Sequence, residues 1–225
     1  MRDKVPYRKM EVSMRFRLIL AVNAFLFILF SCVAPVQALP VGAPSRTLDA
    51  GGFSLTGLIG YTDMEVDERD VSSKSFFLKG AFEGASGLTP YFKLGFADLE
   101  AGSFEGSLDF GYGGGVLLDI FTQQTGREFR VSLDTQVNWV ESSEGSDSRD
   151  LFEGQLALFG STKSGGTQTY GGFAASFLKL DSTEENGKGH LFFGVDYFMD
   201  FNFFFNAEAH FFGESALILG VGYLF

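Results

Sequence analysis

The chain is poor in cysteine, histidine, proline and positive charge. Its one cysteine, Cys32, can close no intrachain disulfide. Two histidines, His190 and His210, with no thiol after residue 38, are too few ligands for a structural zinc site, and no cofactor is expected. Seventeen basic residues face 28 acidic ones, a net charge of -11. That sign excludes a nucleic-acid partner, because a phosphate backbone would be repelled. After residue 38 no run approaches 18 uninterrupted apolar residues, so no helix is expected to span a membrane. A P-loop, a G-x-S-x-G and an H-E-x-x-H are all missing, and no acidic stretch has the order of an EF-hand. Abundance lies elsewhere: 28 Phe and 29 Gly in 225 residues, 45% of them hydrophobic. So much aromatic surface collapses instead of staying disordered, and the glycines lack the collagen period.

Residues 16–30, FRLILAVNAFLFILF, form a short apolar run. Arg2, Lys4, Arg8, Lys9, Arg15 and Arg17 precede or open it, and Val36-Gln37-Ala38 follows. A basic start, an apolar middle and a small-x-small end predict a signal peptide over 1–38, cleaved after Ala38. Leu29-Phe30-Ser31-Cys32 leaves a second reading open, with Cys32 as a lipidated first residue. Residues 39–51 hold two of the five prolines and read as a short flexible lead. Six basic and two acidic residues leave with the signal, so the remainder carries 11 against 26, a net of -15.

From Gly52 onward the period is that of strands. Residues 129–140 set Phe129, Val131, Leu133, Thr135, Val137 and Trp139 on one face. Arg130, Ser132, Asp134, Gln136 and Asn138 occupy the other, the alternation of a pleated strand. Residues 190–199 and 201–211 behave alike. Gly is scattered through every apolar stretch, which costs a helix about 1 kcal/mol per site. Ten segments emerge: 52–66, 73–84, 88–100, 103–119, 126–141, 148–162, 167–181, 188–199, 201–212 and 214–225. Eight strands is the alternative count, reached by merging or demoting 103–119 and 167–181. Short connections between them suit consecutive antiparallel hairpins.

The last residues alternate as well: Leu217, Leu219, Val221, Tyr223 and Phe225 share one face. The ending LGVGYLF resembles the terminal assembly signal of bacterial outer-membrane β-barrels, with Tyr223 and Phe225 in the aromatic positions. Thr89–Asp98 (TPYFKLGFAD) and Gly111–Gly115 (GYGGG) are similar to stretches in small barrels of the OmpA and opacity-protein type. The resemblance implies an all-β fold: a single up-and-down antiparallel transmembrane barrel over 52–225. It also implies an outer-membrane location, lipid on the apolar face, and the barrel-assembly machinery as a partner during biogenesis.

On that reading the polar faces line the lumen, with Lys79, Glu83, Lys93, Asp109, Arg130, Asp134, Glu153, Gln155, Asp196 and Glu208 as its charged or polar members. A barrel this narrow is filled by side chains, so these groups should pair in a network. The acidic stretches 63–70, 141–150 and 181–190 alternate with the nearly neutral 84–89, 122–126 and 164–169. With an even strand number both termini face the periplasm and the acidic connections face outward. A tight turn near 199–202 should bring His190 and His210 onto one lumen-side face at the outer rim, two residues from Glu208. The function expected is non-enzymatic, structural or surface-interacting, towards an extracellular ligand that the sequence does not name. A small porin-like channel and a rim hydrolase are the alternatives.

Overall fold

The computed structural model describes residues 52–66, 69–84, 87–123, 128–180, 183–184, 188–199 and 202–225. The signal peptide and lead expected over 1–51 lie outside the described residues. Ten long strands make the wall: β1 (Phe53–Val66), β2 (Arg69–Phe82), β3 (Leu88–Ala97), β6 (Asp109–Gln123), β7 (Glu128–Glu144), β8 (Asp147–Ser164), β9 (Thr167–Leu180), β11 (Lys188–Phe198), β12 (Phe203–Phe211) and β13 (Glu214–Leu224). Three two-residue strands, β4 (Glu100–Ala101), β5 (Phe104–Glu105) and β10 (Thr183–Glu184), extend one end of it. Each long strand pairs antiparallel with its sequence neighbours, and β1 pairs with β13 from Ser54↔Leu224 to Met64↔Glu214. The sheet therefore closes on itself as a ten-stranded up-and-down barrel. Among the described residues there is no α-helix.

All ten expected segments are strands, with shifted bounds. The second starts at Arg69 and not at 73. The segment read as 103–119 is Asp109–Gln123, because β4 and β5 fold 100–105 into a separate small hairpin on β2. Residues 141–150, read as a loop, are strand except for Gly145 and Ser146. Both Gly145 and Gly165 take a positive φ as the first residue of a two-residue turn, a backbone that glycine reaches without a Cβ penalty. Near Asp119 the register of β6 against β7 shifts, so Asp119 pairs with Ser132 but Phe121 with Val131. The extra residue, Ile120, makes a bulge and carries Phe121 to the outer face.

Strand periodicity sorts the side chains. Exposed large apolar residues occur on every long strand, among them Ile59, Phe76, Leu94, Tyr112, Leu158 and Phe193. A water-soluble monomer does not expose a continuous apolar band. Inward positions carry most of the buried polar groups and two apolar clusters. One joins Phe77, Leu99, Phe104, Val140 and Leu151 beside the small hairpin. The other joins Leu117, Phe159, Tyr170 and Phe192.

One turn is strained. Phe212 has φ 66° and is 75% exposed, between β12 and β13. An L side chain in that left-handed region costs about 1–2 kcal/mol, and Asn tolerates it better. Phe212→Asn should raise the unfolding midpoint in urea, by up to about 1 kcal/mol of stability.

Candidate functional site

Two tyrosines organise the lumen, and glycines make room for them. A Cβ on Gly194 would lie 2.5 Å from Cε2 of Tyr170, and one on Gly115 would lie 2.5 Å from Cζ of Tyr91. The bare backbone of one strand lets a ring from another lie against it. Each ring then carries its hydroxyl to an acid. The Tyr91 hydroxyl sits 2.9 Å from both carboxylate oxygens of Asp134, and the Tyr170 hydroxyl donates to Glu208 Oε2 at 3.0 Å.

The cations are placed around Tyr91. Lys79 and Lys93 are register partners on β2 and β3, both pointing inward. Lys79 Nζ stands 4.4 Å from the Tyr91 ring centroid and Lys93 Nζ 5.2 Å, within cation–π range. Both attract Asp134. Lys93, with 0% exposure, donates to Gln136 Oε1, and Gln136 Nε2 donates in turn to Gln155 Oε1. Gln155 Nε2 donates to Ser176 Oγ at 3.3 Å and lies 3.4 Å from His190 Nε2.

His190 continues the chain. Its ring stacks on that of His210, with centroids 4.9 Å apart and planes 23° apart. His210 Nε2 lies 2.5 Å from Glu208 Oε1. Asn206 Nδ2 donates to the Tyr170 hydroxyl at 2.9 Å and to Asp196 Oδ1 at 2.7 Å. Asn138 Nδ2 donates to Glu153 Oε2 at 3.1 Å. A connected polar layer thus runs from β3 through β7 and β8 to β9, β11 and β12. Buried charges are tolerable only in such company.

Of the residues expected in the lumen, Lys79, Glu83, Lys93, Asp134, Glu153, Gln155, Asp196 and Glu208 are buried. Two stand apart. Arg130 is half-buried, 3.6 Å from Asp119 and bonded to Glu128, near the β6–β7 connection. Asp109 is half-buried at the opposite end, accepting from Ser107 Oγ at 3.2 Å. His190 and His210 do share a face of one hairpin, and the observed register sets His210 opposite Phe192. Both histidines sit near the same end of that hairpin, at the start of β11 and the end of β12, and both are buried there, 2% and 5% exposed, inside the polar layer. Among the described residues no group of three or more His, Cys, Asp or Glu could hold a metal ion.

Sequence reasoning passed over Tyr91, Tyr170 and Ser176, and it set Asn206 on the polar face beside Glu208 without giving it a part in the lumen. Tyr91 shares the parity of Lys93, so alternation could have found it. The aromatic ring of a Tyr disguises a polar tip as part of the apolar face. Tyr223 and Phe225 lie at the closing seam. The Phe225 amide donates to the Phe53 carbonyl at 2.8 Å, and its ring lies 5.6 Å from that of Phe53 and 4.8 Å from that of Tyr223.

No protein-family model and no curated protein matches the chain. Solved structures do match. An outer membrane channel from Pseudomonas putida F1 is 9% identical, with a TM-score of 0.47 over 83% of this chain and 100% of that one. The β domain of the Bordetella autotransporter BrkA is 14% identical, with a TM-score of 0.47 over 79% and 99%. The transport unit of the autotransporter AIDA-I from Escherichia coli is 12% identical, with a TM-score of 0.42 over 91% and 96%.

Proposed function

We propose that this chain is a bacterial outer-membrane barrel with a filled lumen, serving as a structural or surface-interacting protein and not as an enzyme or a diffusion pore. The observation that carries the reading is the joint sorting of side chains: a continuous apolar band outside, and a bonded polar layer with two apolar clusters inside. A bilayer core admits only helices and closed barrels, since every backbone group must be paired within the protein. The closed sheet meets that condition, and the outer band supplies the lipid contact. Both termini then lie in the periplasm, and the end bearing β4, β5 and the 145–146 turn faces outward.

Planar-bilayer recording tests the filled lumen. The folded, purified barrel should give no discrete conductance steps; regular openings would favour the porin-like reading. A second measurement concerns assembly. Phe225 supplies a backbone bond and two ring contacts to the closing seam. Deleting it should reduce the heat-modifiable, folded fraction recovered from outer membranes several-fold. The assembly machinery would lose its aromatic handle and the seam would lose its last bond. An unchanged folded fraction would count against both roles.

A further inference from the structure

The direction of hydrogen bonding along the polar layer is fixed by Lys93. Its Nζ donates to the side-chain oxygen of Gln136, which therefore faces it. Gln136 then presents its Nε2 to Gln155, and Gln155 must answer with Oε1. That leaves the Gln155 amide nitrogen facing His190 Nε2 at 3.4 Å. Two donors cannot share that contact. His190 Nε2 therefore carries a lone pair, and the proton of the neutral ring sits on Nδ1.

We infer that His190 is an acid-sensitive latch of the lumen: it ties β11 to β8 as a neutral acceptor and is expelled from that bond when protonated. The inference stands on the lumen geometry alone and is independent of the role proposed above. Protonation would set an Nε2–H against the Gln155 amide N–H. Turning Gln155 over would bring two amide nitrogens together at Gln136. Turning Gln136 as well would set its N–H groups against the Lys93 ammonium. No flip relieves the conflict while Lys93 is charged. The stacked His210 ring adds repulsion once both rings carry charge.

Charged groups of both signs are buried in the same lumen: Glu208 on β12, Glu153 on β8, Asp134 on β7 and Asp196 on β11 itself, with Lys79 on β2 and Lys93 on β3. On β9, Ala174 lies opposite His190, and the Tyr170 hydroxyl and Ser176 belong to the same polar layer. Glu208 Oε1 lies 2.5 Å from His210 Nε2, and this carboxylate draws the first proton to His210. The latch opens with the second. A free imidazole titrates near about pH 6.5, so the relevant range is mild acid. The unfolded chain takes up that proton freely while the folded lumen resists it, so stability is full at pH 8 and falls on acidification.

Nitrogen-15 NMR of the imidazoles in the folded, full-length barrel tests the inference directly. At pH 7.5 His190 should be neutral, with its proton on Nδ1; a charged ring, or a proton on Nε2, would overturn it. Unfolding midpoints read by gel mobility give the second arm. Between pH 7.5 and 5 the wild type should lose about 5 °C more than His190→Gln, whose side-chain oxygen accepts the same bond without titrating. Lys93→Met should also remove the extra loss, because both amides are then free to turn. Equal losses in the wild type and His190→Gln would overturn the latch. If neither variant folds, the NMR of the unaltered protein decides alone.

Discussion

Leu133→Arg is expected to cost the folded barrel about 2–4 kcal/mol, the penalty for a guanidinium facing lipid near mid-strand. Leu133 pairs with Leu118 on β6 and Leu158 on β8, at the centre of the outward face of β7. Urea titration of the barrel folded into lipid vesicles measures the loss. Leu133→Phe, which keeps the apolar surface, serves as the control and should stay within about 1 kcal/mol of the wild type. A Leu133→Arg barrel as stable as its control would mean that this face of β7 does not meet lipid.

One residue along, Asp134→Asn should cost about 3–5 kcal/mol, for the opposite reason. Asp134 is 1% exposed, and it draws both Lys79 and Lys93. Asparagine can still accept the Tyr91 hydroxyl. What is lost is the negative charge, leaving two lysines facing each other across β2 and β3 with less to balance them. A double substitution separates this from a packing defect. Asp134→Asn combined with Lys93→Met should recover a large part of the loss, because contacting charges couple and their effects do not add. If the double variant is less stable than either single one, the charge-balance explanation fails.

Most of the wall was legible in the sequence. Alternation placed Leu133 outside and Asp134 inside, because a period of two leaves a strand only two choices. It was less informative where the period breaks. At Asp119 a bulge inverts the parity, and nothing in the run of residues marks it. Between Ala97 and Asp109 the chain leaves the wall for a small hairpin, which alternation alone divides between the end of segment 88–100 and the start of segment 103–119. The lumen was half legible. Its charges follow from parity, but Phe77, Phe104, Phe159 and Phe192 also point inward. Lumen and lipid both accept an aromatic ring, so residue type cannot tell them apart there. The histidines were placed on the right face by arithmetic on the turn. Their burial depends on how far β9 continues beyond Ala174 beside them, which is a property of the whole cylinder.

The seam between β1 and β13 has a different standing from the other nine pairings. Those join sequence neighbours, whereas the seam joins Ser54 to Leu224. Forming it first would close a loop of the entire barrel for the reward of one strand pair. The ladder is therefore expected to grow as an open ribbon, hairpin upon hairpin, and to roll shut at the end. Until it does, the ribbon has two bare edges, each a row of unpaired amides and carbonyls open to any other strand. The two edges are made at opposite ends of synthesis: β1 is available first and must wait longest. Whatever escorts the nascent ribbon has to occupy the edge of β1 for that interval, or a second ribbon will.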